Sequence, residues 1–278
     1  MSWETVPPSP GGTDALALHE ANRAAWNEGA VRYAEELADT IAFLRAGGSN
    51  LHPIERAMLG PLREWCRTAI HLQCASGRDT LSLVNEGVEQ VVGLDISDRM
   101  IENAIRTSEA LGIPARWFRC DVLEAPSELD GGFDLVYTGR GAICWMHDIT
   151  AWAGVVARLL KPGGVVSLFD DHPVTYLFNQ ETETIEPTGL DYFRHAEISR
   201  GWSESYLGEI GIPVDRQSVK HERLWTVGAI VGALIGAGLR IERLGEHPEG
   251  YYDSFLRLRP EFRGRLPMTV SILARKPR

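Results

Sequence analysis

The stretch "HLQCASGRD", His71–Asp79, decides how this chain is read. It continues an apolar run, "TAIHLQ", and leads into "DTLSLV". The run has the character of a buried strand, and the apolar positions after Asp79 recur at helical spacing. A strand, a tight loop with a glycine, and then a helix make the shape of a nucleotide-binding corner. Such corners usually carry several glycines, which let the backbone come close to a ligand. Here the loop has only Gly77. Its neighbours must therefore decide between a cofactor loop and an ordinary connection.

Downstream, strand and helix alternate. "QVVGLD", "ARWFRCD", "FDLVYT" and "VVSLFDD" read as strands. "DTLSLVNEG" reads as a helix closed by Gly87, and "DRMIENAIRTSEALG" as a helix with Ser97 as its N-cap. "DITAWAGVVARLLKPGG" reads as a helix ended by Pro162 and two glycines. This alternation predicts an α/β fold, a Rossmann-like parallel sheet with helices on both faces.

Residues 1–12 read as a disordered tail without the basic start of a signal peptide. Residues 13–67 read as an N-terminal helical cap, with Gly29 expected to break or bend its first helix and Pro53 near the start of a short one. Residues 68–171 form the expected cofactor-binding core. Residues 172–224 lose the alternation and are rich in aromatic residues, so they read as a substrate-binding insert or lid. Residues 225–278 return to the sheet, ending in the strand "PMTVSILARK".

Three acidic residues fall into line with this plan. Asp79 opens the first helix, Asp95 ends the second strand and Asp121 ends the third. Ligands of open parallel sheets sit outside the carboxyl ends of the strands, so the loop, Asp95 and Asp121 should border one crevice. A carboxylate at Asp95 is placed to accept hydrogen bonds from a ribose diol, and its charge repels a 2′-phosphate.

Net charge is −10, from 28 Lys and Arg against 38 Asp and Glu. That argues against nucleic acid or anionic membrane as a partner. Cys66, Cys74, Cys120 and Cys144 lack the spacing of a metal knuckle or redox pair and read as free thiols of a cytoplasmic protein. "VGAIVGALIGAGL", Val227–Leu239, repeats Gly228, Gly232 and Gly236 four apart, but its 13 residues fall short of the ~20 that a membrane span needs. It reads as a buried helix whose small face packs on the sheet.

"AIHLQCASGRDTLSLVNEGVEQVVGLDIS" resembles the first two motifs of class I S-adenosylmethionine-dependent methyltransferases. It is closer to a bacterial small-molecule subgroup with an "LQCxxGxDTLSL" signature. "RCDVLE", "HEANRAAWNEGAVRY" and "LPMTVSILARKP" fit the same subgroup. The resemblance covers roughly residues 16–278 and implies a mostly parallel seven-stranded sheet whose last strand is antiparallel. It implies S-adenosylmethionine as cofactor and S-adenosylhomocysteine as product. The backbone around Cys74, Ala75 and Gly77 would face the methionine part. Asp95 would hold the ribose, with Ile96 on the adenine. Asp121 would accept from the adenine amino group beside Val122, and Thr138 and Gly139 would offer backbone oxygens to the ammonium. Tyr33 and Trp26 would close over the cofactor. His71 and Gln73 depart from the family, which has an acidic residue and a glycine there. Asp79 either replaces the missing charge or caps its helix.

Methyl transfer from a sulfonium needs alignment and exclusion of water, and a base only where the nucleophile must lose a proton. His172 in "FDDHP" is the expected base, with Asp170 or Asp171 orienting it or raising its basicity and Tyr176 close by in sequence. Arg140, Trp145, Trp202, His221 and Trp225 are the expected contacts of a small-molecule methyl acceptor. The aromatic insert suits an aromatic or heteroaromatic metabolite. C-methylation of an indole-type ring is one alternative. A nicotinamide-dependent oxidoreductase, which would want "GxGxxG", and a non-catalytic cofactor-binding protein are others.

Overall fold

The computed structural model describes residues 4–5, 14–193, 196–203 and 206–278. A two-residue strand, β1 (Glu4–Thr5), comes first, then helices α1 (Asp14–Glu35), α2 (Leu37–Arg45) and α3 (Pro53–Leu59). The alternating region follows as β2 (Thr68–Leu72), α4 (Arg78–Asn85), β3 (Gln90–Asp95), α5 (Asp98–Leu111), β4 (Ala115–Arg119), β5 (Phe133–Gly139), α6 (Ile149–Leu159) and β6 (Leu160–Asp171). The remainder holds β7 (Ala196–Ser199), β8 (Lys220–Arg223), α7 (Val227–Gly236), β9 (Arg240–His247) and β10 (Thr269–Arg275).

The main sheet runs β1-β4-β3-β2-β5-β6-β10-β9. Neighbours are parallel up to β6, and β10 is antiparallel to both β6 and β9. The seven expected strands are present with the last in sequence reversed. An eighth piece, β1, comes from the stretch read as a tail: Glu4 and Thr5 pair with Phe118 and Arg119. The rest of residues 1–12 lies outside the described residues.

Strand periodicity divides the core into two layers. Ile70 and Leu72 of β2 face a cluster containing Trp152 and Val156 of α6 and Ile230 and Leu234 of α7. Ala69 faces the other cluster, with Leu81 of α4, Ile101 and Ala104 of α5 and Met58 of α3. After β2 the chain moves outward to β3 and β4; it then crosses back to β5. The crevice between β2 and β5, at the strands' carboxyl ends, is thus the switch point where such sheets bind ligands.

Three expectations need correction. Helix α1 runs through Gly29 without a break, and the helical course is interrupted at Glu36 instead. Gly29 is a close-packing position, since an added Cβ would lie 3.0 Å from Leu207 and 3.2 Å from Trp202. Helix α6 ends at Leu159, before Pro162, and Leu160 already pairs with Phe133. In α7 the small face is turned outward: Ile230 and Leu234 are the buried residues, and a Cβ at Gly232 or Gly236 would meet nothing within 4 Å. Among the described residues no helix is long and apolar enough to cross a membrane.

Candidate active site

The loop after β2 bends through positions that normally favour glycine. Gln73 and Ala75 have φ of 58° and 45°, and Gly77 has φ of 78°. Side chains hold this strained course. His71 lies 2.9 Å from Thr80 of α4, Nδ1 to Oγ1, and its ring meets Tyr137 edge-on. Burial pushes the His71 imidazole down to about 4, so it is neutral at neutral pH. His71 thus pins α4 to the end of β2 through an uncharged contact. Gln73 donates from Nε2 to the Ala142 carbonyl at 2.7 Å, tying the corner to the turn after β5. Its Oε1 is buried without a partner. Asp79 makes no helix cap; it accepts from Asn50 Nδ2 at 2.6 Å and lies 3.8 Å from the Arg140 guanidinium.

Asp95 closes the same corner from β3. Its two oxygens accept from the Ala75 and Ser97 backbone N–H groups, both at 2.8 Å. Burial pushes its carboxyl up to about 6, against the pull of these bonds. Asp121, at the end of β4, accepts from Leu123 N–H and from His19 Nδ1 at 2.6 Å. His19 Nε2 accepts from the His147 backbone N–H at 3.0 Å, which leaves the His19 proton on Nδ1, facing Asp121. Asn22, one turn along α1, pairs with the His221 backbone N–H and carbonyl on β8. Arg23 and Asn27 bind Asp98 on the sheet side. Together these contacts clamp α1 over a pocket floored by Ala75, Asp95, Ile96, Asp121, Val122 and Gly139.

Beside it, a second cavity of about 400 Å³ takes in Tyr33, Cys74, Ala75, Asp79 and Gly139. Tyr33 bonds Tyr206 hydroxyl to hydroxyl at 2.9 Å. Gly139 has φ of 138°, and a Cβ there would stand 2.0 Å from the Phe169 carbonyl. The Thr138 hydroxyl is buried without a partner. Arg140, expected on the acceptor, is engaged by a buried knot. It donates to Glu55 at 2.5 Å and to the Asn50 carbonyl at 2.6 Å. Glu55 also accepts from the Tyr137 hydroxyl and from His52 N–H, which only partly offsets the desolvation that raises its carboxyl.

An outer chamber of about 520 Å³ shares Arg140, Gly141, Trp145 and Tyr206 with the inner pocket. Trp145 and Trp202 pack on Trp26 with ring centroids 5.2 and 4.8 Å apart. Asp171 also lines the chamber, and its Oδ2 accepts from the Tyr251 hydroxyl at 2.7 Å. Burial, reinforced by neighbouring Asp170, raises the Asp171 carboxyl well above the usual range. Tyr176 and Tyr252 line it as well. Asp170 is structural: it accepts from the backbone N–H groups of Gly141, Ile143 and Asp171.

Several expected site residues lie elsewhere. His172 turns toward β9: Nδ1 accepts from Val174 N–H, and Nε2 donates to Glu246 at 2.7 Å. It lines neither the inner pocket nor the outer chamber. Trp225 donates to the Met146 carbonyl and lies outside both cavities. His221 contributes its backbone to the α1 clamp. The sequence reading missed His19, Glu55, Tyr251 and Tyr252. Only His19 left a trace, as the start of the quoted motif "HEANRAAW".

Sheet order and the corner after β2 give a Rossmann-like fold of the kind found in S-adenosylmethionine-dependent methyltransferases. Comparison with known proteins agrees: residues 69–164 match the family described as Methyltransferase domain. The chain is similar to an uncharacterized methyltransferase of Synechocystis sp., 30% identical over 151 residues, or 51% of this chain and 65% of that protein. An uncharacterized protein of Escherichia coli is 31% identical over 116 residues, 40% of this chain and 55% of its own. The matches thus span less than two thirds of either curated relative. Among solved structures, an S-adenosylmethionine-dependent methyltransferase from Mesorhizobium loti aligns with a TM-score of 0.53 at 26% identity, covering 82% of this chain and 98% of that one.

Proposed function

We propose that the protein transfers the methyl group of S-adenosylmethionine to a small-molecule acceptor, aromatic or heteroaromatic in character. The observation that carries this reading is the convergence of Asp95 and Asp121 on one pocket that opens, past Gly141 and Trp145, into an aromatic chamber. The residues present fit the cofactor. Asp95 uses its oxygens on two backbone N–H groups yet keeps lone pairs for a ribose diol. Ile96, Met100 and Val122 give the apolar walls an adenine needs. Asp121 has the acceptor capacity for its amino group, and Gly139 keeps the neighbouring backbone free of a side chain. When bound, the cofactor supplies a methyl group already activated on a sulfonium.

The chain's own work is alignment, exclusion of water and removal of a proton. Trp26, Trp145 and Trp202 form a wall that excludes water and presents ring faces to positive charge. Asp171, aimed into the outer chamber and held by Tyr251, takes the proton-accepting role in this reading, in place of His172. C-methylation of an indole-type ring is a narrower form of the same proposal, with Asp171 as its base. A pool of aromatic metabolites incubated with methyl-labelled cofactor tests it. Label should appear in a ring-bearing product; label confined to added protein or nucleic acid would reject the small-molecule reading.

A further inference from the structure

Lys220 stands out among the charged residues of the outer chamber. It opens β8, in the two-stranded β7-β8 sheet, and is 8% exposed. Burying an ammonium away from water costs several kcal/mol unless hydrogen bonds replace its hydration. The other two cations among the chamber's described residues are compensated in this way. Arg140 donates to Glu55 and to the Asn50 carbonyl, and Arg200 donates to the Gln217 carbonyl. Among the described residues Lys220 makes no such bond. Its Nζ lies 4.0 Å from Glu222 Oε2, the outer limit of an ion pair, and 4.4 Å from the centre of the Trp202 ring. A ring face compensates a desolvated ammonium only in part, by about 2 kcal/mol, and makes no hydrogen bond to its N–H donors, which stay open to water or a ligand in the chamber.

We infer that Lys220 is the anchor for a carboxylate on the methyl acceptor, so that the acceptor class is an aromatic acid whose ring lies along the Trp145–Trp202 wall. This inference rests on the methyltransferase reading and adds the acceptor's charge to it. A carboxylate fits better than a phosphate. Lys220 offers one positive charge, with Glu222 already beside it, and both arginines are committed to protein acceptors. Each further negative charge on a ligand would face Glu197 and Glu222, which line the same chamber, so the site favours a monoanion over a dianion. The position also suits the reaction. Lys220 and Asp171 line the same chamber, so a molecule held at one end by its carboxylate can present a protic atom to the carboxyl at the other.

Calorimetry on the full chain saturated with S-adenosylhomocysteine tests this. The probes are matched pairs of aromatic acids and their primary amides: phenylacetate with phenylacetamide, and indole-3-acetate with indole-3-acetamide. The acid of at least one pair should bind about tenfold more tightly than its amide, a difference of about 1.4 kcal/mol. Lys220→Met should erase that preference while S-adenosylhomocysteine affinity stays within about twofold, and Lys220→Arg should keep most of it. Amides binding as well as acids, no acid binding at all, or a preference that persists in Lys220→Met would each overturn the inference. Because the product is titrated first into every protein, loss of its binding would instead strike the methyltransferase reading itself.

Discussion

Replacing Gly77 by alanine isolates the packing that holds the cofactor corner. Gly77 sits at φ of +78°, where an L side chain costs about 1–2 kcal/mol. An added Cβ would also stand 2.5 Å from Trp117 Cη2 and 2.8 Å from the Ala104 Cβ. Trp117 cannot easily swing away. Its Nε1 donates to Ser108 Oγ at 3.1 Å, and its ring already lies against Gly93, where a Cβ would be 2.2 Å off. Overpacking of this kind costs about 1–3 kcal/mol, so Gly77→Ala should lose about 2–5 kcal/mol. Gly112 is the control. It has φ of +68°, and a Cβ there would meet nothing within 4 Å, so Gly112→Ala should lose only the backbone part, about 1–2 kcal/mol. Urea denaturation of both variants measures the difference. In a Trp117→Phe background the gap between the two penalties should narrow, because the ring edge that clashes is gone and only the Ala104 contact remains. Equal losses in the wild-type background would refute the argument that Trp117 packs the corner in place.

Gln73→Gly should leave the protein about 1 kcal/mol more stable in the same assay. It relieves a left-handed side chain and a buried, unpartnered Oε1, which outweighs losing the bond to Ala142; a clear destabilisation would contradict this. Affinity for S-adenosylhomocysteine should fall as pH drops through about 6, since ligand hydroxyls need the Asp95 carboxylate and burial holds its pKa there. The sign for the ligand-free protein is opposite. With the folded pKa raised, the Asp95 contribution to stability is present below the ordinary carboxylate range and is lost as pH rises through about 6. Calorimetry and urea titration between pH 5 and 8 should show the two trends diverging, and parallel trends would argue against Asp95 as a ligand contact. Asp171→Asn should lower kcat at least about a hundredfold for a protic acceptor and remove the rising limb of the pH–rate profile, whereas His172→Ala should stay within about threefold of wild type. The reverse ranking would restore His172 as the base.

What the sequence revealed, and what it concealed, follows from the range of the interactions. Strands β2 to β6 were readable because burial on both faces writes a local apolar run, and Asp95 and Asp121 because they end such runs. His19 reaches Asp121 across 102 residues, and nothing local separates it from an ordinary polar helix position. Glu55 looks like a solvent-facing helical glutamate until Tyr137 and Arg140 arrive from β5 and its following turn. Tyr251 and Tyr252 lie between β9 and β10 in a stretch without periodicity, and only the folded chain puts Tyr251 on Asp171. His172 misled for the converse reason. Its place after β6 put it near the crevice, but antiparallel β10 brings Glu246 of β9 within reach, and the ring follows that carboxylate. The Gly228, Gly232 and Gly236 spacing in α7 resembles a packing face, yet Ile230 and Leu234 carry the burial.

The central claim is that the crevice formed by Ala75, Asp95 and Asp121 is an S-adenosylmethionine site. Titration of S-adenosylhomocysteine into the wild-type protein and into Asp95→Asn at pH 7.5 tests it most directly. The account predicts one site per chain in the wild type, weakened at least about tenfold in the variant, and no binding of NADH to either. A folded wild-type protein that binds NADH, or that gives no heat with S-adenosylhomocysteine, would contradict it.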